Sequence, residues 1–140
     1  HGDLSNADTY DEFLDLYRTI ISHAVARLAD DRFAVWVVGE IRDPKGQLRG
    51  FIPDTIAAFE KAGAALHNDA VLITAVGSLA LRAARIFSGA RRLGRAHQYV
   101  LVFCKGDPRA AVEACGPIDI PAELWAALED DELPGEPITL

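Results

Sequence analysis

The chain has 140 residues, half of them hydrophobic and a quarter charged, with a formal net charge of −7. That is the size and balance of one soluble globular domain, able to bury roughly two-thirds of its unfolded surface. No apolar run approaches the ~20 residues a membrane span needs and no signal-peptide pattern is present, so no membrane association is expected, and the acidic balance argues against indiscriminate adhesion to nucleic acid.

Taken in chain order, "DTYDEFLDLYRTIISHAVARLADD" repeats apolar residues at Tyr10, Phe13, Leu14, Tyr17, Ile20, Ile21, Ala24, Val25 and Leu28. This is helix period, and it predicts a helix over about 9–29, opened by a capping box of Thr9 and Glu12. "RFAVWVVGE" is nearly continuously apolar, the pattern of a strand buried on both faces, and Trp36 within it is expected in the core. Asp43-Pro44-Lys45-Gly46 is turn chemistry. "PDTIAAFEKAG" predicts a helix with Pro53 in its first turn and Gly63 past its end. "ALHNDAVLITAV" predicts a second strand. "GSLALRAARIFSGARRLGRA" predicts partial helix ending in a glycine-punctuated basic loop. "HQYVLVFCKG" predicts a third strand, followed by a short helix over Pro108–Cys115. The remainder, 117–140, is an acidic tail containing four prolines, with a short helix around Trp125 expected to dock on its own domain. Strands alternating with helices indicate an α/β layer structure, and three strands are few for a complete one. The chain opens on His1 rather than Met, and part of something longer is expected.

Charge is unevenly spread. Residues 1–69 carry 7 basic and 12 acidic side chains, residues 70–106 carry 6 and none, and residues 107–140 carry 1 and 9. A stretch of 37 residues without a carboxylate creates a positive field in an otherwise acidic molecule. Cys104 and Cys115 lack metal spacing and suit a reduced, cytoplasmic setting, with Cys104 a buried thiol in a strand. His1, His23, His67 and His97 have no ligand spacing either, so no metal site is expected.

The motifs "VVGEIRD", "TAVGSL" and "LGRAHQYVLVFCKGDP", preceded by "DLSN" and "YDEFL", stand in an order and spacing that resembles one family over about residues 3–116. That family is the carboxy-terminal half of S-adenosylmethionine-dependent DNA methyltransferases acting on adenine N6 or cytosine N4, of the kind carried by phages, mobile elements and restriction-modification systems. The resemblance implies a partial Rossmann-like methyltransferase sheet: Phe33–Gly39 as strand five, Leu66–Ala75 as strand six and His97–Lys105 as strand seven, the last two antiparallel. Residues 1–116 would form this domain and 117–140 the tail. The family's catalytic motif (Asp, Asn or Ser, two prolines and an aromatic, which hold an extruded base) has no counterpart here, and neither has its glycine-rich donor loop. Glu40 and the pair Arg95-Ala96 stand where Asp and Lys-Thr are expected. The resemblance therefore implies S-adenosylmethionine in the full-length family, with no catalytic or cofactor-binding residue in this chain. Its implied partners are DNA and either a missing amino-terminal half or a second copy paired through an open sheet edge. The alternative is a stand-alone, non-catalytic module that binds DNA or protein.

Candidate DNA contacts are Arg82, Arg85, Arg91, Arg92, Arg95, His97 and Gln98 in and around the basic stretch, with Lys45 and Arg49 in the earlier loop. Arginine suits bidentate phosphate contact, and Gln or His at a strand start suits a base edge or phosphate. The competing reading is a solvated helix face paired with the acidic tail. Glu40, Arg42 and Ser78 are base-pocket candidates because they stand at strand ends, where open α/β sheets bind ligands. Set against this are a Glu40–Arg42 pair across a turn and a helix-capping role for Ser78.

Overall fold

The computed structural model describes residues 4, 7–75, 77, 79–119, 121 and 122. Helix α1 spans Tyr10–Arg27, strand β1 Arg32–Val38, helix α2 Phe51–Lys61, strand β2 Ala65–Ile73, helix α3 Leu79–Ala90, strand β3 His97–Lys105 and helix α4 Pro108–Cys115. The sheet order is β1-β3-β2, so the last strand lies between the other two. It pairs antiparallel with both, with Trp36 opposite Leu101 on one side and Ala70 opposite Val100 on the other. β1 and β2 consequently run the same way without touching. The β2–β3 ladder slips at His67, between Leu66 and Asn68, as a bulge does.

The predicted elements form for the reasons their residues suggest. Thr9 caps α1 by accepting from the Glu12 amide at 3.2 Å, while the Glu12 carboxylate takes the Asp8 amide instead of that of Thr9, at 3.1 Å. The reciprocal arm of the capping box is thus displaced by one residue. Leu14, Tyr17, Ile21 and Val25 fall on one stripe of α1 and are buried. α2 starts two residues earlier than its proline suggests, because Pro53 at its third position needs no amide partner. Gly63 ends it with φ of 96°, a conformation glycine adopts without strain.

α1 and α2 share one core with the sheet face that carries Trp36, Val38, Leu101 and Phe103. Phe59 of α2 stacks on Phe103 at 3.8 Å, and both are fully buried. Burying each such ring is worth roughly 1.5–3 kcal/mol. Trp36 lies at the margin of this core and donates its indole N–H to the Tyr17 hydroxyl at 2.8 Å. Thr55 Oγ1 donates to the Phe51 carbonyl, so the Tyr17 hydroxyl donates to Thr55, and each donor in this buried chain has an acceptor.

The expectation that β1 is buried on both faces is not met. Val35 and Val37 are 60% and 50% exposed, because α1 and α2 pack on the opposite face. α4 contacts β1 and β3, beside the buried Cys104 and Ala111. Every residue of β2 is exposed. The expected helix around Trp125 lies outside the described residues, as does most of the acidic tail. Among the described residues no helix is long and apolar enough to cross a membrane.

Candidate nucleic-acid interface

The topology brings the carboxyl ends of β1 and β2 and the amino end of β3 to one end of the sheet. That end carries the β1–α2 loop, the helix α3 and the basic α3–β3 connection. Ligands of open α/β sheets bind outside the carboxyl ends of strands.

The β1–α2 loop is a hydrogen-bonded miniature hairpin. Arg42 and Leu48 form an antiparallel bridge. Within it the Asp43 amide donates to the Gln47 carbonyl, the Gly46 amide to the Asp43 carbonyl, and the Gln47 amide to Asp43 Oδ1 at 2.8 Å. Gly46 has φ of 87°, and its carbonyl accepts from Arg42 Nη1 at 2.7 Å. Across from this tip stands the end of α3, where the chain leaves the helix through Arg91 at φ of 51°. Between the two runs a groove of about 720 Å³, lined by Arg42, Lys45, Gly46, Leu48, Ala90 and Arg92 among others. A side arm of about 240 Å³ continues between Arg42, Arg92, Ile86 and Leu93. Arg92 Nε is shielded from solvent and has no hydrogen-bond partner.

The sequence-predicted residues divide clearly. Arg42, Lys45 and Arg92 converge on the groove. Arg82 and Arg85 are exposed on α3, with Arg91 and Arg95 exposed beyond its end. Arg91 lies over the Phe87 ring at 5.6 Å. His97 starts β3 opposite Ile73 with its ring edge-on to Tyr99, and Gln98 is exposed opposite Leu72. Arg49 turns to α1 instead and covers the Tyr10 ring at 4.4 Å. Glu40 and Arg42 do not pair with each other. Glu40 accepts the Gly50 amide at 3.3 Å and the Ile52 amide at 2.9 Å, replacing the side-chain cap that Gly50 cannot supply to α2. Ser78 lies outside the described residues.

A cluster that sequence reasoning missed joins this end to α1. The Tyr10 hydroxyl donates to Asp54 Oδ2 at 2.7 Å beneath Arg49. Burial, then the Asp54 hydrogen bond and the negative charges of Asp54 and Glu40, push the Tyr10 phenol well above its ordinary range, with Arg49 opposing. Tyr10 was visible in the sequence only as one apolar position of a helix stripe. A separate groove of about 280 Å³ between α1 and α2, beside Arg18, His23 and Lys61, lies at the other end of α2.

This architecture defines a class of fold: an α/β layer with a reversed central strand, matching part of a methyltransferase-like sheet. No protein-family model and no curated protein sequence matches the chain. Among solved structures it is similar to a protein of Thermus thermophilus provisionally assigned as a DNA modification methylase. The TM-score is 0.55 and the identity 16%, over 81% of this chain and 42% of that one. At that identity the likeness is one of fold, and the chain spans less than half the length of this neighbour. An acidic side chain commonly holds the ribose of a bound nucleoside. Glu40, Asp43 and Asp54, the carboxylates at this end, are turned to backbone amides or to Tyr10.

Proposed function

We propose that this chain is the carboxy-terminal portion of an S-adenosylmethionine-dependent DNA methyltransferase acting on adenine N6 or cytosine N4. It supplies the closing strands of the sheet and the basic loops that face DNA. The donor and catalytic groups belong to an amino-terminal portion that completes the sheet. One observation carries the reading: a methyltransferase-like half-sheet whose β1 has no second strand partner among the described residues and whose Val35 and Val37 are bare to solvent. An open edge and an uncovered apolar face on a strand this hydrophobic call for more sheet and a covering layer.

The test is the mass of the native product, followed by transfer of radiolabelled methyl groups to DNA. The expected product is much heavier than the 15.2 kDa of this chain and methylates exocyclic amines, whereas this chain alone transfers nothing. A native product of that same mass, inactive in every mixture, overturns the reading. It leaves a non-catalytic module that pairs with a second copy through the β1 edge.

A further inference from the structure

We propose that Arg42, Lys45 and Arg92 form a clamp for one backbone phosphate of DNA, seated in the groove between the β1–α2 hairpin and the end of α3. The proposal rests on the reading of this end of the sheet as DNA-facing, and it names the residues that take the load.

Three independent features point to an anion. The first is composition: two guanidinium groups and one ammonium reach the groove from two separate loops. The nearest carboxylate in the lining turn, Asp43, spends its Oδ1 on the Gln47 amide, and the groove keeps a positive balance. The second is an unmet donor. Arg92 Nε is withdrawn from water without a partner, a state that proteins rarely leave uncompensated. An oxygen of a bound phosphate supplies what is missing. The third is shape. A Cβ added at Gly46 would stand in ordinary contact with Arg92 Nη1, at 3.6 Å, and the φ of 87° there is one that other residues strain to adopt. The hairpin tip thus lies beside the Arg92 guanidinium, and the Gly46 carbonyl accepts from Arg42 Nη1. Two planar forks set at a groove suit the oxygens of a phosphate better than those of any single carboxylate.

The surroundings favour a polymer over a free ion. Arg82 and Arg85 sit three residues apart on α3, and Arg91 and Arg95 follow, in a stretch without any carboxylate. From Arg82 to the end of α3 at Ala90 the basic track runs beyond the groove. At 1.5 Å per residue that is about 12 Å, the rise of about three to four base pairs at 3.4 Å each. A repeating polyanion meets such a track and a single phosphate does not.

The experiment is a salt titration of the binding of a fluorescent 20-base-pair duplex to the whole 140-residue chain, for the wild type, K45A, R92A and R18A. Lys45 makes no hydrogen bond or ion pair among the described residues, so K45A removes charge without disturbing the fold. K45A and R92A are each expected to weaken binding about three- to tenfold at low salt, equally for unrelated sequences. Each is also expected to reduce the slope of log K against log salt by about one. R18A, on α1, leaves both unchanged. In a parallel NMR titration the Arg92 Nε–Hε and Gly46 amide resonances shift as duplex is added. Unaltered affinity and slope in both K45A and R92A overturn the clamp. Saturation of the same resonances by millimolar inorganic phosphate, with no binding of duplex, overturns DNA as the source of the phosphate. Methyl transfer enters none of these readouts, so a chain that clamps DNA but belongs to no active enzyme, or the converse, is recognised as such.

Discussion

Glu40 illustrates how a charged residue at a strand end can serve the fold. Both carboxylate oxygens face the first amides of α2, where Gly50, at φ of 78°, offers no side chain. E40A should therefore lower stability by about 1–2 kcal/mol, the usual worth of a charged cap, as measured by urea unfolding. E40Q, which keeps one oxygen, should recover part of that loss. Gly106 is a second fixed point. Its φ is 94°, and a Cβ there would collide with the Asp31 carboxylate and lie 2.9 Å from the Asp31 backbone nitrogen. Around it the Asp31 amide donates to the Lys105 carbonyl and the Asp107 amide to Asp31 Oδ1, each at 2.8 Å. Lys105 Nζ reaches the Leu28 carbonyl at 2.7 Å and Asp30 at 3.1 Å. This mesh ties the α1–β1 turn to the β3–α4 turn, at the end of the sheet opposite the basic groove.

At the scale of elements, the core depends on α2 lying across β3. Phe59 and Phe103 stack with their planes 6° apart, and both are fully buried. F59A should cost about 3–5 kcal/mol in chemical unfolding, the range for emptying an aromatic site in a packed interior. α1 brings its two tyrosines to this core from one stripe, and both hold their protons more tightly than a free phenol. Burial pushes Tyr17 up, against its hydrogen-bond contacts with Thr55 and with the donating Trp36 indole, and burial with Asp54 pushes Tyr10 up. With folded values above the unfolded one, the folded state binds more protons than the unfolded state once pH passes the ordinary tyrosine value of 10.0. Their contribution to stability is complete below that pH and falls as pH rises above it. Denaturation midpoints recorded across the alkaline range should decline accordingly, and Y10F should make the decline shallower.

The whole molecule is polarised in charge and in cover. Eight of its arginines and lysines (Arg42, Lys45, Arg49, Arg82, Arg85, Arg91, Arg92 and Arg95) lie in the segments at one end of the sheet, although the chain is acidic overall. On one sheet face α1 and α2 cover β1 and β3, while β2 is exposed along its length and Val35 and Val37 on the other face are exposed. That partial cover separates the two cysteines. Cys104 is buried, and its thiol is pushed up by burial and then by the charges of Asp31 and Asp107, while Cys115 is exposed. A thiol reagent applied to the native protein should modify Cys115 promptly and Cys104 only after unfolding, as read by peptide mass.

Local chemistry by itself determined the elements of this protein. Helix period, turn residues and β-branched runs are written in contiguous residues, and every helix and strand of the described chain falls where those patterns predict, including α4 over its full length. The methyltransferase-like sheet was legible through the order of three motifs, and the basic character of residues 70–106 through simple counting. Tertiary structure decided which cations act together. Arg42 and Arg92 are far apart in sequence, and only the placement of β3 between β1 and β2 brings their loops to one groove. The fold of the β1–α2 segment onto α1 turned Arg49 onto Tyr10 and Glu40 onto the α2 amides, contacts that no periodicity encodes. The packing of α1 and α2 on one face left Val35 and Val37 exposed on the other, because an apolar run records that a strand is to be buried but not whether the covering layer belongs to the same stretch of chain.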